Sequence, residues 1–135
     1  MPAASDIRVI LIKAEENLAS AQSELANGRD NACANRAFYA CFQAAVAALM
    51  EAGIPRQGDE WSHGYVQSQF AGQFITRRKL YPLSMRDVLP QLATLRIIAD
   101  YRFVLVSQRN ARRAVEHASL FVGTIQARLK GTSRK

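Results

Sequence analysis

Apolar residues recur along this chain at spacings of three and four nearly from end to end, which is the period of one face of an α-helix. The densest stretch runs from Asp30 to Gly53. Its bulky side chains Phe38, Phe42, Val46 and Leu49 follow spacings of 4, 4 and 3, with alanine or cysteine at most other positions. Arg36 is the one charge between Asn31 and Glu51. A helix that is apolar nearly all round is a buried one, so this segment is predicted to be the central helix.

Four further helices follow from the same pattern. Ile7, Leu11, Ala14, Leu18, Ala21 and Leu25 mark a first helix from about Asp6 to Ala26, capped by Ser5 or Asp6 and stopped at Asn27-Gly28. Val9, Ile10 and Ile12 fall partly outside that seam, either as extra core or as a face for a second subunit. Asp30 can cap the central helix, and so short a link makes the first two helices an antiparallel hairpin. His63, Val66, Phe70 and Phe74 share a face of a third helix from about Ser62 to Thr76. Ser84 and Asp87 have the spacing of a helix start, and Pro90 either kinks that helix or opens a fresh one. The fourth helix carries Leu92, Leu95 and Ala99 inward and closes at Tyr101 and Arg102. Ser107 caps a fifth, with Ala111, Ala114, Ala118, Phe121, Ile125 and Leu129 on its buried side and Gly131 at its end. No strand pattern occurs. The fold class is all-α, an up-and-down bundle of about five helices in one domain over residues 1–131, with a basic, disordered tail at 132–135.

Length and composition narrow the class. A chain of 135 residues, 49% hydrophobic, can bury about two thirds of its unfolded surface. No stretch reaches the roughly 18 apolar residues of a membrane span, and MPAASDIR lacks the layout of a signal peptide. Cys33 and Cys41, eight residues apart on one helix, cannot bond to each other and read as small buried thiols. The expectation is a cytoplasmic protein with no membrane contact. Charge is uneven: residues 1–76 hold five basic and eight acidic side chains, and residues 77–135 hold thirteen basic and three acidic. A net +10 half attracts a polyanion or an acidic partner.

Candidate chemistry is sparse. No Gly-rich phosphate loop, Cys/His cluster or nucleophile elbow is present, so neither metal nor cofactor is expected. Glu60 and His63 form a single Glu-x-x-His, where a di-iron bundle needs two such pairs and further carboxylates. Arg36, Tyr39 and Gln43 form a polar strip on the central helix. Arg36 there is either paired structurally, by an ion pair or by snorkelling to water, or a phosphate contact. His63 is either a hydrogen-bonded core residue or a proton carrier. Arg77, Arg78 and Lys79 suit the negative end of a helix dipole and equally form the densest basic patch. Arg96 and Asp100, at i and i+4, can pair.

Three segments, NRAFYACFQAAVAAL, WSHGYVQSQF and LRIIADY followed by VSQRNARRAVEHASLFV, resemble in that order the HEPN (higher eukaryote and prokaryote nucleotide-binding) domain. The likeness is closest to small stand-alone prokaryotic members whose fourth helix ends in Arg-x-x-x-Asp-Tyr. The resemblance implies a dimerising helical bundle, often encoded beside a minimal nucleotidyltransferase as a toxin–antitoxin pair. Many such toxins are metal-independent ribonucleases with an Arg-x(4–6)-His site contributed by both subunits to a cleft, in which Arg neutralises phosphate and His moves protons. Here Arg96 occupies the arginine position, and Asp100 and Tyr101 stand where the histidine is expected. Arg112 and His117 satisfy the spacing numerically but lie inside the fifth helix, and the match reads as coincidence.

The resulting expectation is a dimeric nucleotide- or RNA-associated module of a toxin–antitoxin or nucleotide-associated system with an incomplete ribonuclease motif. Arg96, Asp100 and Tyr101 are its site residues, and Arg36, Tyr39, Arg77, Arg78, Lys79 and Arg102 its binding residues. Tyr101 is also a candidate for nucleotide attachment by a nucleotidyltransferase. The alternatives are an active ribonuclease using Arg96 with His63 or Tyr101, and a non-catalytic protein that binds an acidic partner.

Overall fold

Why the chain folds around its second helix is visible in that helix's side chains. In the computed structural model, which describes residues 3–133, α2 (Asp30–Glu51) has thirteen of its 22 residues buried, spread around its whole circumference. Seven of the thirteen are alanines, so neighbouring backbones come close on every side. The other helices are α1 (Ala4–Ala26), α3 (His63–Gln69), α4 (Val88–Tyr101) and α5 (Gln108–Ser133), and α2 packs against all four. No strand forms among the described residues, and the fold is all-α. No helix among those residues is long and apolar enough to cross a membrane.

The α1–α2 and α2–α3 corners depend on glycine. At Gly28 (φ 73°) the chain reverses, and the Arg29 N–H donates to Glu24 O at 2.8 Å. At Gly53 (φ 75°) the Ile54 N–H donates to Leu49 O at 3.0 Å in the same way. Each closes a helix end through a left-handed residue, a conformation glycine adopts without steric cost.

Within the bundle the expected seams are found. All six inward residues named for α5 are buried, as are Leu11, Ala14 and Ala21 of α1, with Ile7, Leu18 and Leu25 half-buried. The Cys33 thiol donates to Ala111 O across the α2–α5 contact at 3.7 Å. Burial, helped by Asp30 and Glu24, pushes that thiol up to about 11, and burial alone raises Cys41. Both are free, protonated and inert.

Helix ends differ from expectation. α1 begins at Ala4 without a side-chain cap, since Ser5 and Asp6 lie inside its first turn, where Asp6 meets the positive end of the dipole. Asp30 likewise sits within α2 and does not cap it. Ser62 does cap α3, accepting from the Tyr65 N–H at 3.3 Å, but the helix changes to a π-helix over Phe70–Arg77. The wider turn brings Phe70, Phe74 and Ile75 all inside. A short 3₁₀ turn, Leu83–Met85, precedes α4, and Pro90 falls in the first turn of α4, where its missing N–H breaks no helical bond. Ser107 caps α5 as expected, accepting from the Asn110 N–H at 3.1 Å. α5 runs past Gly131 to Ser133; of the expected tail, Arg134 and Lys135 lie outside the described residues.

Candidate functional site: an arginine–amide–carboxylate network

On α2, Asn35, Arg36 and Tyr39 fall at i, i+1 and i+4, on the side that α4 and the start of α3 approach. On α4, Arg96 and Asp100 are one turn apart and face them. The Arg96 Nη1 donates to Asp100 Oδ2 at 3.4 Å, with the two side chains 12% and 26% exposed. Asn35 Nδ2 donates to both oxygens of the same carboxylate, at 3.1 and 3.0 Å. Asp100 is thereby held from two helices.

The network continues into α1. Arg36 donates from Nε to Asn35 Oδ1 at 2.9 Å, from Nη2 to the same oxygen, and from Nη1 to Asn17 Oδ1 at 3.1 Å. Asn17 Nδ2 then donates to Gln43 Oε1 at 2.7 Å. The expected ion pair at Arg36 is thus corrected, while the half-buried guanidinium still borders a cleft beside the network. Neutral amide oxygens meet the charge, and they can do so because Asn17 sits opposite the Arg36–Gln43 strip.

Aromatic rings form the other wall. The Arg96 guanidinium carbon lies 5.1 Å from the Phe38 ring centroid and 5.9 Å from that of Tyr39, and Arg36 lies 5.5 Å from Tyr39. Guanidinium over an aromatic face is attractive, the more so when water is excluded. Arg96 Nε is buried and meets no acceptor among the described residues. His63 sits edge-on to Phe38, Tyr39 and Phe42, with centroids at 5.1, 5.9 and 4.8 Å. His63 is therefore half-buried among rings that also meet Arg96, and not within the fully buried core.

Burial lowers the His63 pKa below its ordinary 6.5, and the Arg96 charge lowers it further. Neutral imidazole is thus the form the fold favours. The sign follows from linkage: the stabilisation is complete above 6.5 and is lost as pH falls through the depressed folded value. A histidine NMR titration is expected to place His63 below 6.5, and Arg96→Met to move it part of the way back.

Beside the network lies a cleft of about 480 Å³ lined by Ser20, Glu24, Asn31, Asn35, Arg36 and Asp100. Amide and guanidinium donors share it with two carboxylates, so it offers both donors and acceptors to a ligand.

The remaining candidates stand apart. Tyr101 is 70% exposed and, five residues on from Arg96, lies about 140° further round α4. It shares no hydrogen bond or ring contact with the network among the described residues. Arg102 is exposed at the α4 C-terminus. Arg77, Arg78 and Lys79 are exposed at the end of the π-helix, with Lys79 in the left-handed region (φ 52°), and none joins the network. His117 lines a separate groove of about 370 Å³ between α4 and α5 with Asn110 and Arg113, and Arg112 is not part of it. Asn17 and Asn35 are site residues that sequence reasoning misses. Their one sequence signal is an amide interrupting an otherwise apolar or alanine-rich helix face.

No curated protein matches the chain. The family model described as HEPN domain matches residues 7–128, a span that runs from α1 into the last turns of α5 and includes every residue of the network. The chain belongs to the HEPN domain family.

Proposed function

We propose that this protein is a dimeric, nucleotide- or RNA-associated HEPN module of a prokaryotic toxin–antitoxin type of system, one that contacts phosphate without completing ribonuclease chemistry. HEPN domains commonly dimerise and bind RNA. One observation carries the reading. Arg96, the residue suited to hold a phosphate, is stacked on Phe38 and Tyr39 and already paired with Asp100. A carboxylate at that position competes with phosphate for the guanidinium and is ordinarily a weaker base than the missing histidine. The ligand therefore binds weakly and is not cleaved. A minimal nucleotidyltransferase is the partner this reading favours, with exposed Tyr101 as the acceptor for nucleotide attachment.

The dimer seam is assigned to α1. Val9 and Ile12 are about half exposed beside a groove of about 570 Å³ lined by Ile7, Leu11 and Leu129. Charges of both signs border it, Arg8 and Lys130 with Glu15 and Glu51, so a second copy meets no net repulsion.

A specific observation keeps a second reading open, that of a metal-independent ribonuclease. His63 and Arg96 touch the same two rings, Phe38 and Tyr39, and His63 is held neutral. A neutral His63 could take the 2′-hydroxyl proton while Arg96 neutralises the phosphate.

Incubation with mixed RNA in EDTA separates the two. No cleavage is expected, while binding of a labelled single-stranded oligonucleotide weakens with salt at a log–log slope near −0.7 per phosphate contact. Arg96→Ala is expected to make that slope shallower by about one contact. Cleavage that disappears in both Arg96→Ala and His63→Ala would establish the ribonuclease instead. Binding that ignores salt would remove the phosphate reading altogether.

A further inference from the structure

Between α4 and α5 the chain displays apolar side chains to solvent and holds them there. Phe103 is fully exposed, Leu105 is 81% exposed, and Tyr101 and Val104 are exposed beside them. The segment is fixed at both ends. The Arg102 N–H donates to Ile98 O at 3.3 Å, and the Val106 N–H donates to Asn31 Oδ1 at 3.1 Å with the Val106 side chain buried. Collapse of three large apolar residues onto the bundle would be favourable by the usual burial of nonpolar area, yet the anchors present them outward. Contiguous exposed apolar surface of this kind marks an interaction site.

Charge selects the occupant. Residues 101–113 hold Arg102, Arg109, Arg112 and Arg113 and no acidic side chain, and all four arginines are exposed. Three of them lie in the first two turns of α5, where the dipole disfavours cations. Helix stability therefore does not account for them. A second copy placed on this surface would bring like charges together, whereas the α1 face is balanced. An RNA strand could use Tyr101 and Phe103 for stacking and the arginines for phosphate, but Val104 and Leu105 have no counterpart in it. Aromatic and arginine side chains grouped on a rigid support are the composition of a protein hot spot.

We propose that the strap Tyr101–Leu105, with Arg109 and Arg112, is the docking surface for an acidic protein segment that carries large apolar side chains. The apolar residues anchor and the arginines steer, and fixed ends reduce the ordering cost of binding. The strap is anchored through Asn31 at the edge of the cleft beside the Arg96 network and shares only Tyr101 with the proposed function, so its occupant can be tested without RNA or nucleotide.

Selection of a displayed random dodecapeptide library on the full chain tests it. Enrichment is expected for peptides of net negative charge with two or more large apolar residues. The affinity of the best of them should fall about tenfold or more in Phe103→Ser/Leu105→Ser and, independently, in Arg109→Glu/Arg112→Glu. All four positions are exposed, so circular dichroism should be unchanged in both variants and neither should melt at a lower temperature, the glutamates even favouring the α5 N-terminus. The proposal is overturned by absence of enrichment, by enriched peptides without acidic residues, or by affinity indifferent to both double variants. It is equally overturned if Phe103→Ser/Leu105→Ser turns a dimer into a monomer in sedimentation, which would make the strap the seam between copies. Displacement of the peptide by oligouridylate, with oligouridylate binding lost in the same variants, would assign the surface to nucleic acid.

Discussion

Phe38→Ala is expected to cost about 3–5 kcal/mol of stability, the range for truncating a buried phenylalanine. That corresponds to a fall in melting temperature on the order of 10 °C for a domain of this size. The ring is fully buried on α2, a helix whose other buried positions are mostly alanine. A helix packed this closely leaves its backbone little room to close the space, so a cavity term adds to the lost burial. The same ring touches Tyr39, Phe42 and His63 and lies under the Arg96 guanidinium. Truncation therefore has a second consequence. Water gains access to His63, and its titration returns toward the ordinary 6.5. Thermal melting and a histidine NMR titration read the two effects separately. Loss of stability with no movement of His63 would mean that its lowered pKa does not come from this cluster. Loss below about 1 kcal/mol would mean that the site does collapse.

How far such features can be read from the sequence depends on whether they repeat. The five helices, the central place of α2 and the inward strip of α5 are periodic, and a pattern of three- and four-residue spacings is a local property. The Arg96–Asp100 pair is legible for the same reason, being one turn apart. The amides are not. Asn35 reaches Asp100 across 65 positions and Asn17 reaches Gln43 across 26, and a long-range polar contact has no period. The sequence marks Arg36 as a charge that needs a partner, but burial arguments favour a carboxylate and cannot see that two asparagine oxygens suffice. Tyr101 illustrates the opposite case: adjacency to Asp100 in the chain places it on a different side of α4, out of the network. The π-helical stretch after Gln69 carries no punctuation in its residues, since Gly72 sits inside it without a turn. The exposed strap is invisible for a simpler reason. Apolar runs are read as core, and only the position of Val106 beside Asn31 shows that this one is turned outward.

Asp100→Asn isolates what the carboxylate does to Arg96, and it is expected to raise phosphate affinity. The substitution keeps shape and leaves an amide oxygen able to accept from Asn35 Nδ2, while removing one negative charge 3.4 Å from the guanidinium. Unit charges about 4 Å apart interact by about 4 kcal/mol at an effective dielectric constant of 20. Asp100 is partly solvated, with 26% of its side chain exposed, and screening reduces the usable part to about 1 kcal/mol. Single-stranded RNA or inorganic phosphate should therefore bind roughly fivefold more tightly at low salt, with the advantage shrinking as ionic strength rises. Folding stability moves the other way by about 1 kcal/mol, because Arg96 loses its charged partner and keeps only its rings. The cycle closes with Arg96→Ala/Asp100→Asn, in which the gain should vanish, since the arginine through which it acts is gone. A gain that survives in the double variant would place the phosphate contact elsewhere, with Arg36 or the Arg77–Lys79 cluster as the next residues to remove. Equal affinity of wild type and Asp100→Asn would mean that Arg96 does not meet the ligand at all. Asp100 would then be a structural partner of the guanidinium and not the group that restrains it.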